Sequence, residues 1–178
     1  TLTTSHNVIG QGITLNVYQP GQTPFLDCIR FSAELGVPPW LNIPHLASLG
    51  TGGCSDAMCL GVLANTPSGM KVYVEYSNEI WNTQGVFSQS VFFQNQQLRL
   101  LTLNGRDPVA NPADPTTSEQ SYAEFSNRHQ VIWRARFAAA GRASDLVWVM
   151  GSWQVVGNVP RDICDYAKRH GFTFDSIS

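Results

Sequence analysis

The chain carries little charge. Lys, Arg, Asp and Glu make up 13% of its 178 residues, well below the ~25% that is typical of soluble domains. Its net charge is −2 and no basic run exceeds two residues, which argues against an electrostatic surface for nucleic acid or for an anionic membrane. No apolar run approaches the ~20 residues of a membrane-spanning helix. We therefore expect neither a nucleic-acid partner nor a membrane.

Signals for metals and nucleotides are also missing. The Gly-rich stretch 50–53 is not followed by the Lys-Ser/Thr pair that opens the helix of a phosphate-binding loop. No group of three metal ligands occurs at useful spacing. We predict no metal and no cofactor. His6, His129 and His170 lie in a terminal segment and on predicted helices, and are expected at the surface.

Cysteines are few, and their state is open. Cys54 and Cys59 lie in GGCSDAMC, close enough for a short-loop disulfide in an oxidising compartment, although two free thiols are an equal alternative. Cys28 and Cys164 fall within predicted helices and are expected to be buried thiols.

Apolar residues are plentiful, and their spacing alternates between helical and strand-like. Helices are predicted at 24–36, 55–65, 84–101, 118–140 and 159–171, and strands at 37–43, 71–78, 145–153 and 172–178. The three prolines within 104–117 predict an exposed loop. Alternation with nearly continuous apolar strands predicts an α/β fold with a parallel sheet covered by helices.

The sequence starts and stops abruptly for a complete parallel α/β fold. TLTTSHNVIG contains neither an initiating Met nor a signal-peptide core, and FDSIS closes the sequence inside or at the end of a strand. About four parallel strands with abrupt ends are typical of part of a barrel. We expect residues 1–178 to be a fragment of a single barrel domain.

Polar residues follow three of the predicted strands. The first strand ends in Asn42-Ile43-Pro44-His45, the second in the segment 77–82 and the third in 151–154. Since the carboxyl ends of parallel strands meet at one rim, these residues are expected to form one site.

The stretch KVYVEYSNEIWN (71–82) resembles the fourth-strand motif of retaining glycoside hydrolases built on (β/α)8 barrels, the large clan that includes cellulases and many β-glycosidases. Together with PWLNIPHLAS (39–48), it also looks like a group of uncharacterised secreted barrel proteins. The resemblance implies a partial (β/α)8 barrel, about strands three to six. It implies Glu79 as general acid/base and Asn78 as the residue that holds a sugar 2-hydroxyl.

The chemistry of Glu79 suits this role. A glycosidic oxygen must be protonated as its bond breaks, which calls for a carboxylic acid with a raised pKa. Trp81 and Trp153 are candidate platforms for the apolar face of a sugar, with a place in the core as the alternative. His45 is expected to bind a sugar hydroxyl rather than a metal or the backbone. Asn42 and Gln154 complete the predicted substrate-binding set.

The second carboxylate of such a mechanism is not evident. Retention needs a partner ~5–5.5 Å from the acid, and inversion one at ~6.5–9.5 Å. Glu75 would lie roughly 13 Å away along an extended strand, so we predict a buried structural carboxylate on the face of Glu79. The remaining acids are predicted on helices, in the Pro-rich loop or at strand starts. The resemblance implies a nucleophilic Glu after strand seven, downstream of this chain, which alone would hydrolyse little.

The leading hypothesis is thus a secreted or extracellular glycoside hydrolase that cleaves a β-linked poly- or oligosaccharide with retention. A non-catalytic carbohydrate-binding or structural barrel domain is the alternative from another class. A flavodoxin-like open sheet with a small-molecule ligand is a third possibility.

Overall fold

The computed structural model describes residues 25–77, 118–152 and 158–177. Its helices are α1 (Phe25–Leu35), α2 (Cys54–Asn65), α3 (Ser118–Ala139) and α4 (Asn158–His170). Its strands are β1 (Trp40–Ile43), β2 (Val72–Tyr76), β3 (Leu146–Met150) and β4 (Ser176–Ile177). A 3-10 turn, Ala143–Asp145, leads into β3.

The described strands form one parallel sheet in the order β1-β2-β3-β4, so that each strand lies beside the next one along the chain. In the pair β3–β4, Val149 is level with Ser176 and Met150 with Ile177. Helices alternate with these strands along the sequence. The predicted α/β fold with a parallel sheet is confirmed.

The predicted elements are found where both prediction and structure describe the chain, with shorter strands. β2 ends at Tyr76 rather than at residue 78, β3 ends at Met150 rather than at 153, and β4 is limited to Ser176–Ile177. The predicted helix 84–101 and the loop 104–117 lie outside the described residues.

The chain divides into two compact units. The first consists of Thr1–Val74 and His129–Val147, and the second of Glu75–Arg128 and Trp148–Ser178.

In the first unit, alternation along β1 separates two faces. Leu41 and Ile43 are buried, whereas Trp40 and Asn42 are exposed, as expected for side chains that alternate across a strand. The Trp40 ring is 53% exposed on its open face and stacks on Tyr73, with centroids 5.7 Å apart. The sheet of this unit therefore has one packed face and one open aromatic face.

The packed side of the first unit contains a buried Trp whose polar atom is satisfied. Trp133 of α3 is fully buried and stacks on Phe137. Its indole N–H donates to the Ser55 hydroxyl of α2 at 3.0 Å. A buried indole N–H needs such a partner, so this bond joins α3 to α2.

Arg142, just after α3, connects two turns of the first unit. Its guanidinium donates to Asp145 Oδ2 at 2.8 Å and to the carbonyl oxygens of Leu63, Thr66 and Pro67 at 3.2, 2.8 and 2.8 Å. It also donates to the Thr66 hydroxyl at 3.1 Å. The Arg142 and Asp145 side chains are only 8% and 6% exposed. A buried ion pair thus fixes the turn before β3 against the end of α2.

In the second unit, Trp148 of β3 is anchored at both ends. Its indole N–H donates to Ser126 Oγ at 3.0 Å, and its backbone N–H donates to Asp175 Oδ2 at 2.7 Å. Asp175 immediately precedes β4. These bonds align β3 with both α3 and the start of β4.

Three side chains are exposed or buried contrary to expectation. Cys28 and Cys164 lie on helices but are exposed, because they occupy outward-facing positions of α1 and α4. His129, expected at the surface, is fully buried in α3. The residues between Ser121 and Ser126 are buried too, so the polar letters of α3 do not mark a solvent-exposed face.

Burial of His129 gives a prediction about pH. It lowers the pKa of the imidazole from the usual 6.5 to about 4, because the charged form loses hydration. Stability from the neutral ring is complete above pH 6.5 and is lost as the pH falls towards 4. We expect the free energy of unfolding, measured with urea, to decrease by about 2 kcal/mol between pH 7.5 and pH 5.

The control for this prediction is His129→Gln, which cannot gain a proton and should remove most of the pH dependence in that range. His45→Gln should remove much less, because His45 is only half-buried. The low-pKa carboxylates Asp56 and Asp145 act below this window, since their usual pKa is already near 4. Equal pH slopes for the wild type and His129→Gln would contradict the assignment.

Candidate functional site

Two of the predicted site residues, Asn42 and His45, are described by the structure and lie in the first unit. The others fall outside the described residues: Asn78, Glu79, Trp81, Trp153 and Gln154. The structure does, however, describe the strand ends from which these segments continue, Tyr76-Ser77 and Gly151-Ser152. The described part of the candidate site therefore consists of these strand ends together with Asn42 and His45.

Asn42 and His45 differ in environment. Asn42 is exposed on the open face of β1. His45 is half-buried in the turn after β1, where the Ala47 N–H donates to the Pro44 carbonyl oxygen at 2.8 Å. Burial lowers the pKa of His45, so its imidazole is neutral at pH 7 and can both donate and accept a hydrogen bond. Both side chains suit an uncharged, hydroxyl-bearing ligand.

The end of β2 has an unusual backbone. Ser77 has φ of 62° and is, among the described residues other than glycine, the one with a positive φ. This left-handed conformation costs about 1–3 kcal/mol for such a residue and occurs most often at functional sites. It comes directly before Asn78 and Glu79. The extended geometry from which a common face for Glu75 and Glu79 was predicted ends at Tyr76, and Glu79 itself lies outside the described residues.

Glu75, Tyr122 and Gly151 form a buried polar group that we call the Glu75 cluster. Glu75 of β2 is 7% exposed and Tyr122 of α3 is 1% exposed, so the prediction of a buried carboxylate is confirmed. The Gly151 N–H, just after β3, donates to the Tyr122 hydroxyl at 2.7 Å. A Cβ on residue 151 would overlap Glu75 Oε1 and lie 2.8 Å from the Tyr122 oxygen. Only glycine at 151 lets the carboxylate approach the backbone this closely.

The titration of Tyr122 depends on its buried position in the Glu75 cluster. Burial and, second, the nearby Glu75 charge raise the pKa of Tyr122 far above its usual value. The phenol therefore stays neutral at all ordinary pH values.

Ser152, next to the cluster in sequence, is a buried hydroxyl. It is 7% exposed, and its Oγ has no hydrogen-bond partner in the described part of the chain. A buried polar group in that state costs about 1–3 kcal/mol. Within the described residues, the Ser152 hydroxyl at the end of β3 therefore finds neither a donor nor an acceptor.

A second buried carboxylate, Glu124 of α3, is structural. It accepts a hydrogen bond from Arg128 at 3.1 Å and one from the Tyr166 hydroxyl of α4 at 3.3 Å. These contacts satisfy the carboxylate and join the two helices. The spacing of Glu124 and Arg128 at i and i+4 was a signal for this pair in the sequence.

The Gly-rich loop before α2 offers no room for an anion. The Gly52 N–H donates to Asp56 Oδ2 at 2.8 Å, and the Cys54 N–H donates to the Ser48 hydroxyl at 2.9 Å. The Asp56 carboxylate, which Arg136 also binds, keeps a low pKa chiefly because of that arginine. A negative side chain occupies the position where a phosphate would need donors.

Cys54 and Cys59 are both free thiols, and the alternative of a disulfide is wrong. Both lie in α2, five residues apart. At 100° per residue their side chains leave the helix in directions about 140° apart, and a disulfide cannot span that geometry.

The described residues contain no group of three or more His, Cys, Asp or Glu side chains that could bind a metal ion. Among the helices that the structure describes, none is both long and apolar enough to cross a bilayer.

Comparison with known proteins gives no match: no family model fits the chain, and no curated protein or solved structure is significantly similar to it. The strand ends themselves are therefore the features from which a function can be inferred.

Sequence reasoning placed Ser77 and Gly151 in the predicted strand-end segments without giving either a role of its own, and it missed Tyr122. A glycine directly after an apolar strand was the available signal for Gly151, because glycine there indicates a close approach to the backbone. Tyr122 gave no signal, since a tyrosine on a helix usually belongs to the core. The positive φ of Ser77 cannot be read from its residue type.

Proposed function

We propose that the protein is a retaining glycoside hydrolase for a β-linked poly- or oligosaccharide, with Glu79 as the general acid/base. The observation that carries this proposal is the end of β2, where a left-handed Ser77 directly precedes Asn78-Glu79. The buried Glu75 cluster lies just before this point, at the carboxyl ends of β2 and β3. Parallel α/β folds have their active sites at such ends.

The barrel that belongs to this proposal is supported by the strand order. Four parallel strands in sequential order contain no reversal. A doubly wound sheet reverses at its switch point, and neither common order contains more than three sequential neighbours. Sequential parallel strands with right-handed crossovers place their helices on one face, and closure into a (β/α)8 barrel is the usual way to cover the other. The open face with Trp40 would then be covered.

A neutral carbohydrate is the ligand that the described groups fit best. Asn42 is exposed and His45 is uncharged at pH 7. Amide and imidazole groups form hydrogen bonds with sugar hydroxyls without requiring charge. In this proposal Asn78, Trp81, Trp153 and Gln154 complete the binding surface.

As part of this proposal the protein is secreted or extracellular. The two grounds are the low charge of the chain and the proposed polysaccharide substrate. The free thiols of Cys54 and Cys59 give it no support, because a disulfide would have been the structural mark of an oxidising compartment.

The test is to incubate the full-length protein with β-linked glucan, xylan and mannan oligosaccharides and follow the first product by ¹H NMR. We expect new reducing ends of unchanged anomeric configuration. Inversion would contradict the retaining mechanism, since it requires more widely spaced carboxylates. Saturable binding in a calorimeter with no cleavage would instead favour the non-catalytic carbohydrate-binding barrel.

A further inference from the structure

We propose that residues 44–53, which we call the β1–α2 loop, form a preformed sugar-contact loop in which Leu46 packs against the apolar face of the ring that His45 binds. The nature of the ligand rests on the proposed function. Two roles are new: Leu46 determines specificity through an apolar contact, and Gly53 is a positioning residue that holds the loop in place.

The β1–α2 loop is fixed by hydrogen bonds at both of its ends. After β1, the Ala47 N–H donates to the Pro44 carbonyl oxygen at 2.8 Å, which closes a tight turn. Before α2, Ser48 accepts a bond from the Cys54 N–H through its hydroxyl at 2.9 Å and one from the Ser55 N–H through its carbonyl oxygen at 3.2 Å. Amides in the first turn of a helix have no partner within the helix, so these bonds attach the loop to α2.

Gly53 makes this attachment possible. A Cβ on residue 53 would lie 2.7 Å from the Ser48 carbonyl oxygen, 2.8 Å from that of Leu49 and 3.0 Å from that of Gly50. All three are backbone atoms, so a larger residue would displace the loop itself rather than a flexible side chain. Only glycine at 53 therefore lets residues 48–50 approach the start of α2 this closely.

Leu46 is held in water by this fixed loop. It is 74% exposed, more than any other large hydrophobic residue in the described part of the chain, and Leu49 is 36% exposed. A single exposed leucine is ordinary on a protein surface. Here, however, the turn before it and the attachment at Ser48 after it leave the backbone little freedom. Its apolar surface thus stays hydrated without a ligand, and covering it is favourable.

A neutral sugar ring is the occupant that the neighbouring groups favour. Leu46 directly follows half-buried His45, in the turn at the carboxyl end of β1, where parallel α/β folds have their sites. A pyranose ring presents hydroxyls at its edge and C–H groups on its face, which match an imidazole beside an apolar side chain. Residues 42–53 contain no Lys, Arg, Asp or Glu. The loop itself thus offers no charge to a charged partner.

Leu46→Ser is the first test, because it removes the apolar contact at an exposed position and leaves the backbone bonds in place. We expect the KM of the full-length protein for a β-linked oligosaccharide to rise about 5–10-fold, as for partial loss of one leucine contact. The kcat should change less than about 2-fold, because the contact is made equally in the ground and transition states. Leu60→Ser is the matched control: Leu60 is exposed on α2 outside the loop, and both constants should stay unchanged.

Gly53→Ala tests the positioning role. Its Cβ meets three backbone oxygen atoms, so the loop is displaced and KM should rise at least as much as in Leu46→Ser. In the double variant the two effects should not add, since the displaced loop has already removed Leu46 from the sugar. Urea unfolding verifies that Gly53→Ala is folded. Additive effects on KM would contradict a positioning role for Gly53.

A ¹H–¹⁵N NMR titration with β-linked glucan, xylan and mannan oligosaccharides locates the contact without requiring catalysis. Shifts of the amides of 44–53 that are weakened in Leu46→Ser, in a protein that cleaves none of these sugars, would support the loop and reject the proposed hydrolase. Cleavage with an unchanged KM in Leu46→Ser would overturn the inference and leave the hydrolase intact. A changed oligomeric state of Leu46→Ser in sedimentation would assign Leu46 to a protein contact and overturn it too, as would the absence of any sugar binding.

Discussion

Glu79→Gln should reduce the kcat/KM of an aryl β-glycoside with a poor leaving group by on the order of 10²–10⁴-fold. The amide cannot supply a proton to the departing oxygen, so the full cost of expelling an unprotonated alkoxide or phenoxide returns to the barrier. A dinitrophenyl glycoside departs without protonation, and its kcat/KM should change little. The measurement is the ratio of the two losses in the full-length protein.

Glu34→Gln provides the control for this substitution, because Glu34 is an exposed residue of α1 and should leave both substrates unaffected. If both substrates lost kcat/KM equally in Glu79→Gln, the residue would not be the acid. The proposed general acid would then have to be sought elsewhere on the rim.

Arg142→Met should decrease the free energy of unfolding by about 3–5 kcal/mol. The substitution leaves Asp145 buried without its cation and deprives the carbonyl oxygens at the end of α2 of their donors. Asp145 would retain the hydrogen bond that the Gly69 N–H donates to its Oδ2 at 3.0 Å. Since native domains have only about 5–15 kcal/mol of stability, a large share of the total would be lost. Urea unfolding at pH 7 measures the change.

The matched control is Arg161→Met on α4, where the pair with Asp162 is exposed and is expected to contribute less than ~1 kcal/mol. The double variant Arg142→Met with Asp145→Asn should recover part of the loss, because it removes the unpaired buried charge. Equal effects of Arg142→Met and Arg161→Met would show that the buried pair is not the source of the stabilisation.

The helices could be predicted because their apolar spacing and their terminators agree. Gly36, Gly141 and Gly171 follow the ends of α1, α3 and α4, each with a positive φ, as glycine at a helix C-terminus requires. The alternation of these helices with apolar strands was likewise sufficient for the parallel α/β sheet.

The last strand was over-predicted for a physical reason. Residues 172–174 read as the start of a strand, but the Phe172 N–H bonds the Ala167 carbonyl oxygen at 2.8 Å. The Phe172 ring packs edge-on against Tyr166 of α4, with centroids 5.8 Å apart. Phe172 thus forms the C-terminal cap of α4, through its backbone hydrogen bond and the packing of its ring. An apolar pattern alone cannot distinguish that use from a strand.

The candidate site was predictable only in part. Polar residues after three strands predicted where a site would lie, and the burial of Glu75 was expected from alternation along its strand. The Glu75 cluster depends on a close approach between β2, α3 and the end of β3, which is long-range information that spacing does not contain. His129 shows the same limit: a titratable residue on a helix suggests solvent, whereas packing places it in the interior.

The location of Cys59 inside α2 has a practical consequence. It is fully buried, and burial raises the pKa of its thiol to about 12, so the reactive thiolate is scarce in the native protein. Cys28 and Cys164 are exposed and would be alkylated first. The slow rate at which Cys59 is then labelled would report how often α2 opens locally in the native protein.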